Sequence, residues 1–320
     1  MLTFDASTAI IQEKVAKLLA DGTIELFIGY KPGSNLLRVS PTVVKNPVEA
    51  KNLVWNLACI NNLVASLRKH PQRKVGILLK GCDSRTLSEL LRYHQVKKED
   101  LYVLGIPCTG IIDPKKIAVS CDPREIIALR QEAETIFLET ATESIALPKS
   151  DLIFDKCKIC TYPNPIIYDE LIGEEVTTQV GEGAEEFAAV EELEMLTPEE
   201  RFAYWKEQLS KCTLCYACQT VCPMCFCKKC IVTLAKDDPN RKTPSLANIL
   251  TFHTIRAYHM TGKCSNCGEC ERVCPENIPL STLFKKVEKD CIELFGYVAG
   301  SGMAATPPLT TFAEDDEEKL

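Results

Sequence analysis

Cys212-Thr-Leu-Cys215-Tyr-Ala-Cys218-Gln-Thr-Val-Cys222-Pro223 and Cys264-Ser-Asn-Cys267-Gly-Glu-Cys270-Glu-Arg-Val-Cys274-Pro275 are two copies of one spacing. Three thiolates, each two residues from the next, can wrap one corner of a cubane iron–sulfur cluster, and the fourth, set just before a proline, reaches across to the other cluster. The ligand sets therefore cross. Cys212, Cys215, Cys218 and Cys274 are expected to hold one cluster; Cys264, Cys267, Cys270 and Cys222 are expected to hold the second. A zinc ribbon needs only four ligands per site and usually takes CxxC pairs, so it accounts poorly for the triplets.

The spacing is that of bacterial two-cluster ferredoxins, but the chain around it is far longer. It has 320 residues, 46% hydrophobic and 25% charged, enough for two domains of a soluble globular protein. Eighteen cysteines in a chain of this length, whose first residues lack a basic and then apolar leader, predict a reducing, cytoplasmic setting with the thiols kept for metal. No apolar run has the length of a membrane span. The net charge of −7, with acidic runs at 174–200 and 314–318, argues against a nucleic-acid partner.

The first half alternates strand and helix patterns, which implies an α/β fold with a mostly parallel sheet. Helices are predicted over 8–20, 47–69, from Gly81 through Leu91, and over 124–138. Strands are predicted at 24–30, 36–40, 74–80, 101–106 and 117–120. In such sheets ligands sit beyond the carboxyl ends of the strands, and Cys82, Cys108 and Cys121 fall at three of those ends. Cys157-Lys-Ile-Cys160 follows. Five thiols thus face a site that needs four. Cys82, Cys108, Cys157 and Cys160 are the expected ligands of a third cluster, with Cys121 the alternate. Amides at the start of the helix after Cys82, at Ser84 and Arg85, are expected donors to cluster sulfides.

Residues 1–172 are read as the α/β domain and 173–198 as an acidic linker. Residues 199–298 are read as a smaller, dicluster ferredoxin-like α+β domain with an insertion, and 299–320 as an acidic tail. Thr197-Pro198-Glu199-Glu200 carries the N-cap, N1 proline and N3 glutamate of a helix start. The insertion holds Cys225-x-Cys227-x2-Cys230 and a predicted helix over 245–260; a second helix spans 279–295, stopped by Gly296. The three extra cysteines suit a further cluster, a zinc, or a structural or redox patch. Cys291, His253, His259 or Cys121 could complete a metal set there, although His253 and His259, six apart, do not share a helix face.

Lys74–Cys82, Leu104-Gly-Ile-Pro-Cys108, and Lys156-Cys-Lys-Ile-Cys160 followed by Tyr168-Asp-Glu-Leu-Ile-Gly173 together resemble the beta subunits of deazaflavin-coenzyme-reducing hydrogenases and dehydrogenases. The resemblance extends to their formate dehydrogenase and heterodisulfide-reductase-linked relatives, and covers about residues 1–175 plus the dicluster module. It implies a 4Fe-4S cluster beside FAD, and partner redox subunits in a multisubunit complex. The family's glycine-rich flavin segment has no clear counterpart here, and no FAD-binding residues are identified. Asn56-Leu-Ala-Cys-Ile-Asn-Asn62 stands where its Gly-Ser-x-Tyr would be.

No paired-carboxylate site, Ser/His/Asp set or phosphate-cradling loop occurs, so no catalytic residue is named. The expected function is an iron–sulfur electron-transfer subunit between redox partners such as a hydrogenase, a formate dehydrogenase or a heterodisulfide-reductase-like flavoprotein. The alternative is a flavin-containing oxidoreductase subunit acting on a deazaflavin or NAD(P) coenzyme.

Overall fold

Thr3 opens the first helix by accepting a hydrogen bond from the Ala6 amide at 3.2 Å, and α1 (Phe4–Ala20) then turns Ile11 and Val15 inward. Gly22, in the left-handed region, lets the chain reverse after it. The computed structural model describes residues 3–177, 186–228, 230–232, 244–302 and 306–308. It divides into two units, Met1–Ser84 with Val96–Ala184, and Arg85–Gln95 with Glu185–Leu320. The dividing point at 184/185 falls inside the stretch read as an acidic linker, and Arg85–Gln95 joins the second unit from a distance in sequence.

In the first unit, β1 (Leu26–Pro32), β2 (Val39–Val44) and β3 (Val75–Leu79) are followed by α2 (Gly81–Arg92), of which only the start up to Ser84 belongs to this unit, and by β4 (Leu101–Gly105). Next come α3 (Pro114–Ile117), the strands β5 (Ala128–Glu132), β6 (Thr135–Glu139) and β7 (Ser144–Pro148), and the short helices α4 (Lys149–Leu152) and α5 (Asp155–Lys158). β8 (Glu170–Leu171) closes the main sheet, whose order is β2-β1-β3-β4-β8. All its pairings are parallel except the edge pair β1–β2. β3, Val-Gly-Ile-Leu-Leu, is buried at every position, as a central parallel strand covered on both faces must be. β5, β6 and β7 form a separate antiparallel sheet in that order.

Three sequence expectations fail here for identifiable reasons. The helix predicted over 47–69 is two 3-10 segments, Pro47–Asn52 and Leu63–Lys69. Asn56 and Asn62 each accept from an amide two residues on, at 2.8 and 3.1 Å, and such local bonds compete with a helix. The helix predicted over 124–138 is the β5–β6 hairpin. Its Arg-Gln-Glu-Ala-Glu propensity is overridden by the alternation of Ile136 and Leu138 into a core shared with Leu57 and Ile117. The strand predicted at 117–120 is the end of α3, which Asp113 caps through the Lys115 amide at 2.9 Å with Pro114 in the first turn. Cys121 therefore leaves a helical turn rather than a strand end, and packs against that same apolar cluster.

The second unit contains α6 (Ala188–Glu194), α7 (Pro198–Ser210), α8 (Ala217–Val221), α9 (Leu246–His259), α10 (Glu269–Arg272) and α11 (Leu280–Phe295). The predicted capping box at Thr197 and Glu200 is complete, Ser245 caps α9, and Gly296 ends α11 with a left-handed φ of 61°. No strand occurs among its described residues, so the expected α+β character narrows to helices joined by cysteine loops. Within this unit Glu89 accepts from the Gly300 amide at 2.6 Å and from Tyr297 Oη at 3.0 Å, which accounts for a fully buried carboxylate. The tail read over 299–320 lies largely outside the described residues, as does 178–185 of the linker. No helix among the described residues is long and apolar enough to cross a membrane.

Candidate metal centres

The two cysteine runs of the second unit fold alike. Leu214 and Asn266, each two residues after the first cysteine, have φ of 53° and 51°. Tyr216 and Gly268, each following the second cysteine, have φ of 60° and 71° and start the short helices α8 and α10. Left-handed backbone costs a leucine or tyrosine of order 1–3 kcal/mol, and persists where the surroundings demand it. Here the turn swings the Leu214 amide onto Cys212 Sγ at 3.4 Å, and the Asn266 amide makes the matching bond to Cys264.

Each run brings its cysteines to the rim of a cavity together with one cysteine of the other run. Cys212, Cys215, Cys218 and Cys274 line one cavity; Cys222, Cys264, Cys267 and Cys270 line the other. Among these thiols, loss of solvation pushes Cys218 up to about 11 and Cys264 up to about 12. Loading such a site with iron must therefore release protons.

In the first unit, Cys82, Cys108, Cys157 and Cys160 line one cavity of about 640 Å³. Cys82 is the second residue of α2, directly beyond β3, and Cys108 follows the neighbouring parallel strand β4. The loop after Cys160 is tied to both. The Cys108 amide donates to Pro163 O at 2.9 Å, and the Ile166 amide donates to Ser84 Oγ at 2.9 Å. Gly81 makes this possible: a Cβ there would sit 1.9 Å from Tyr162 O. Desolvation pushes Cys108 up to about 12, offset in part by the Gly110 amide, which bonds its sulfur. The Ser84 amide, expected to face cluster sulfide, is instead taken by Lys80 O at 2.9 Å.

Residues 208–278 match the domain family described as the 4Fe-4S dicluster domain. That segment is a 4Fe-4S dicluster domain. Over nearly its full length the chain also resembles two curated proteins. The F420-dependent formate dehydrogenase subunit beta of Methanocaldococcus jannaschii is 25% identical across 94% of this chain and 93% of its own length. The F420-dependent formate dehydrogenase 1 subunit beta of Methanococcus maripaludis is 25% identical across 95% of this chain and 92% of its own. A solved chain of the F420-reducing NiFe hydrogenase complex from Methanosarcina barkeri aligns with TM-score 0.39 and 12% identity, covering 48% of this chain and 58% of that one.

The dicluster domain carries two buried side chains that spacing alone does not single out. His253 and Arg256, on α9, are 1% and 3% exposed. His253 Nε2 lies 3.3 Å from Cys212 Sγ, and burial together with the Arg256 cation pushes its basicity down to about 4. Arg256 Nη2 donates to Cys218 O at 3.0 Å, and the guanidinium stacks over Phe284 at 4.7 Å. Arg256 Nε and Nη1 and His253 Nδ1 are buried without a hydrogen-bond partner among the described residues. Such orphaned donors are costly, and sulfides of a cluster in the adjacent cavity would supply acceptors. The residues present therefore fit the group. Among the described residues no three metal-ligating side chains converge on a single-ion position.

The remaining sequence candidates separate cleanly. Cys121 does not line the first-unit cavity. Cys291 is a core thiol packed with Tyr297 and Ala299, and His259 is exposed at the end of α9; neither supports a site with Cys225, Cys227 and Cys230. Cys225 hydrogen-bonds Cys222, and Cys227 is exposed.

Sequence reading also missed Lys80, the polar residue that ends the otherwise apolar β3. Its ammonium donates to Asp83 Oδ2 at 2.8 Å and Asn61 O at 3.0 Å, with both side chains of the ion pair at most 3% exposed. Its signal was an aspartate three residues on, one helical turn away. Asp83→Asn leaves this ammonium buried without its counter-charge. The expected loss is about 3–5 kcal/mol of stability, read as a lower urea midpoint for the first unit.

Proposed function

We propose that this chain is an iron–sulfur subunit that relays electrons between partner redox subunits of a multisubunit complex in a reducing, cytoplasmic setting. The observation that carries the reading is that three cavities are each lined by four cysteines, two of them inside a 4Fe-4S dicluster domain. Cys212, Cys215, Cys218 and Cys274 would hold the first cluster, and Cys222, Cys264, Cys267 and Cys270 the second. Cys82, Cys108, Cys157 and Cys160 would hold the third, with Cys121 outside it. The clusters would supply one-electron chemistry; the chain directs amides at the Cys212, Cys264 and Cys108 sulfurs, which are among its levers on potential.

The named relatives support a partner that oxidises formate or reduces a deazaflavin coenzyme, since both are formate dehydrogenase beta subunits described as F420-dependent. Cys225, Cys227 and Cys230 we assign to a thiol patch bordering the second cluster rather than to a fourth one.

Anaerobically purified protein is expected to be brown and to hold about twelve irons per chain, the content of three cubanes. About eight would remove the third cluster from the reading, and about sixteen would assign a fourth to the Cys225 patch. A second reading rests on cavity size, because about 640 Å³ lies within the range of pockets that hold drug-sized ligands. Lys149, Lys156 and Lys158 on its wall would suit a coenzyme's phosphates. Acid release and fluorescence decide it: stoichiometric FAD makes the chain a flavin subunit, and none leaves the relay.

A further inference from the structure

Helix α9 lies in the insertion between the two cysteine runs, and it reaches both cavities from one face. His253 lines the cavity of Cys212, Cys215, Cys218 and Cys274. Arg256, one turn on, lines the cavity of Cys222, Cys264, Cys267 and Cys270. Residues three apart on a helix share a face, so this placement is built into the helix. The two side chains differ in kind: one is a guanidinium, the other an imidazole whose Nε2 lies 3.3 Å from Cys212 Sγ. Arg256 is fixed by Cys218 O on one side and Phe284 on the other. Its Nε and Nη1 have no hydrogen-bond partner among the described residues, while the guanidinium also bonds the Cys225 thiol and faces Cys222 and Cys270 ahead of Cys218. Two buried carboxylates stand near this cavity's cysteines: Glu269 is already bound by Arg272 through two bonds of 2.9 and 2.7 Å, and Glu288, which faces Cys264, is held by Asn266 and paired with Arg85 and Lys285.

We propose that α9 sets the potentials of the two dicluster-domain clusters apart, with Arg256 raising that of the Cys222/Cys264/Cys267/Cys270 cluster and His253 making a smaller adjustment to the other. The inference rests on the cluster reading above. Reduction adds one negative charge to a cluster, and a buried cation beside it favours the reduced form because the low-dielectric surroundings screen it weakly. Hydrogen bonds to sulfur act in the same direction but carry less charge. Electrons entering the domain would therefore settle on the cluster beside Arg256. Both side chains are positioning residues, since neither is a ligand.

The test is an EPR-monitored redox titration of the full chain, with iron content measured alongside, for wild type, R256Q, R256K and His253→Phe. R256Q is expected to lower the midpoint of the Cys222/Cys264/Cys267/Cys270 cluster by at least tenfold in the reduction equilibrium, 59 mV for one electron, to lower the other by less, and so to draw the two midpoints together. R256K keeps the charge and is expected to retain at least half of the separation. His253→Phe removes the ring nitrogen at Cys212 and is expected to move only the other midpoint, by less than tenfold. Unchanged midpoints in R256Q at full iron content overturn the inference, as do equal shifts in R256Q and R256K, which would mark a packing effect. If R256Q fails to hold iron, His253→Phe decides: a shift of a single midpoint supports the proposal, and no shift overturns it. Absence of the two clusters from wild type would sink the cluster reading as well, so the two failures are distinguishable.

Discussion

Cys270→Ala is expected to remove one cluster outright, lowering bound iron from about twelve to about eight per chain, and to stop electron flow through the dicluster domain. Alanine offers no ligand atom, and Cys222, Cys264 and Cys267 are the other thiols at the rim. The crossed arrangement makes the result specific. Cys222 belongs in sequence to the first run but lines the cavity of the second, so Cys222→Ala and Cys270→Ala are expected to abolish the same EPR signal. Cys218→Ala and Cys274→Ala abolish the other. If Cys222→Ala and Cys218→Ala removed the same signal instead, each run would hold its own cluster and the crossed assignment would be wrong. The β sheet of the first unit contains none of these residues and is expected to keep its folded far-UV circular dichroism.

Gly81→Ala is the second substitution expected to have a large effect, though it touches no ligand. Its Cβ would meet Tyr162 O at 1.9 Å and Asn164 O at 3.0 Å. A carbonyl on a tied loop cannot turn away as a side-chain tip could. Either α2 or the 162–164 segment must move, and overpacking of this kind typically costs about 1–3 kcal/mol. The displaced segment follows Cys160, so the four-cysteine rim opens. Iron is expected to fall from about twelve to about eight per chain, as in Cys157→Ala, with both dicluster-domain signals intact. Full iron content in Gly81→Ala would show that the loop does not position Cys160.

Some of this was legible in the chain as written. Two complete cysteine runs closed by Cys-Pro state their chemistry by spacing alone, because four thiolates at short fixed intervals suit little else. The parallel sheet was readable from Val75–Leu79 and Leu101–Gly105, whose unbroken apolar runs have no use outside a covered sheet. Capped helices were readable where local groups satisfy local needs, as at Thr197 and Glu200, or Ser245.

Other features depended on distant partners. The hairpin over 128–139 reads as helix by propensity, and it is a hairpin because Ile136 and Leu138 find Leu57 and Ile117, far away in sequence. That Cys121 turns to this core while Cys82 and Cys108 meet Cys157 and Cys160 follows from the close backbone approach at Gly81 and from the Cys108–Pro163 bond. The left-handed turns at Leu214 and Tyr216 carry no glycine to announce them, whereas Gly268 announces its own. Spacing thus named the thiols expected to hold iron in the dicluster domain. Only tertiary structure decided which buried charges and orphaned donors surround them, because burial belongs to the packed chain and not to any short stretch of it.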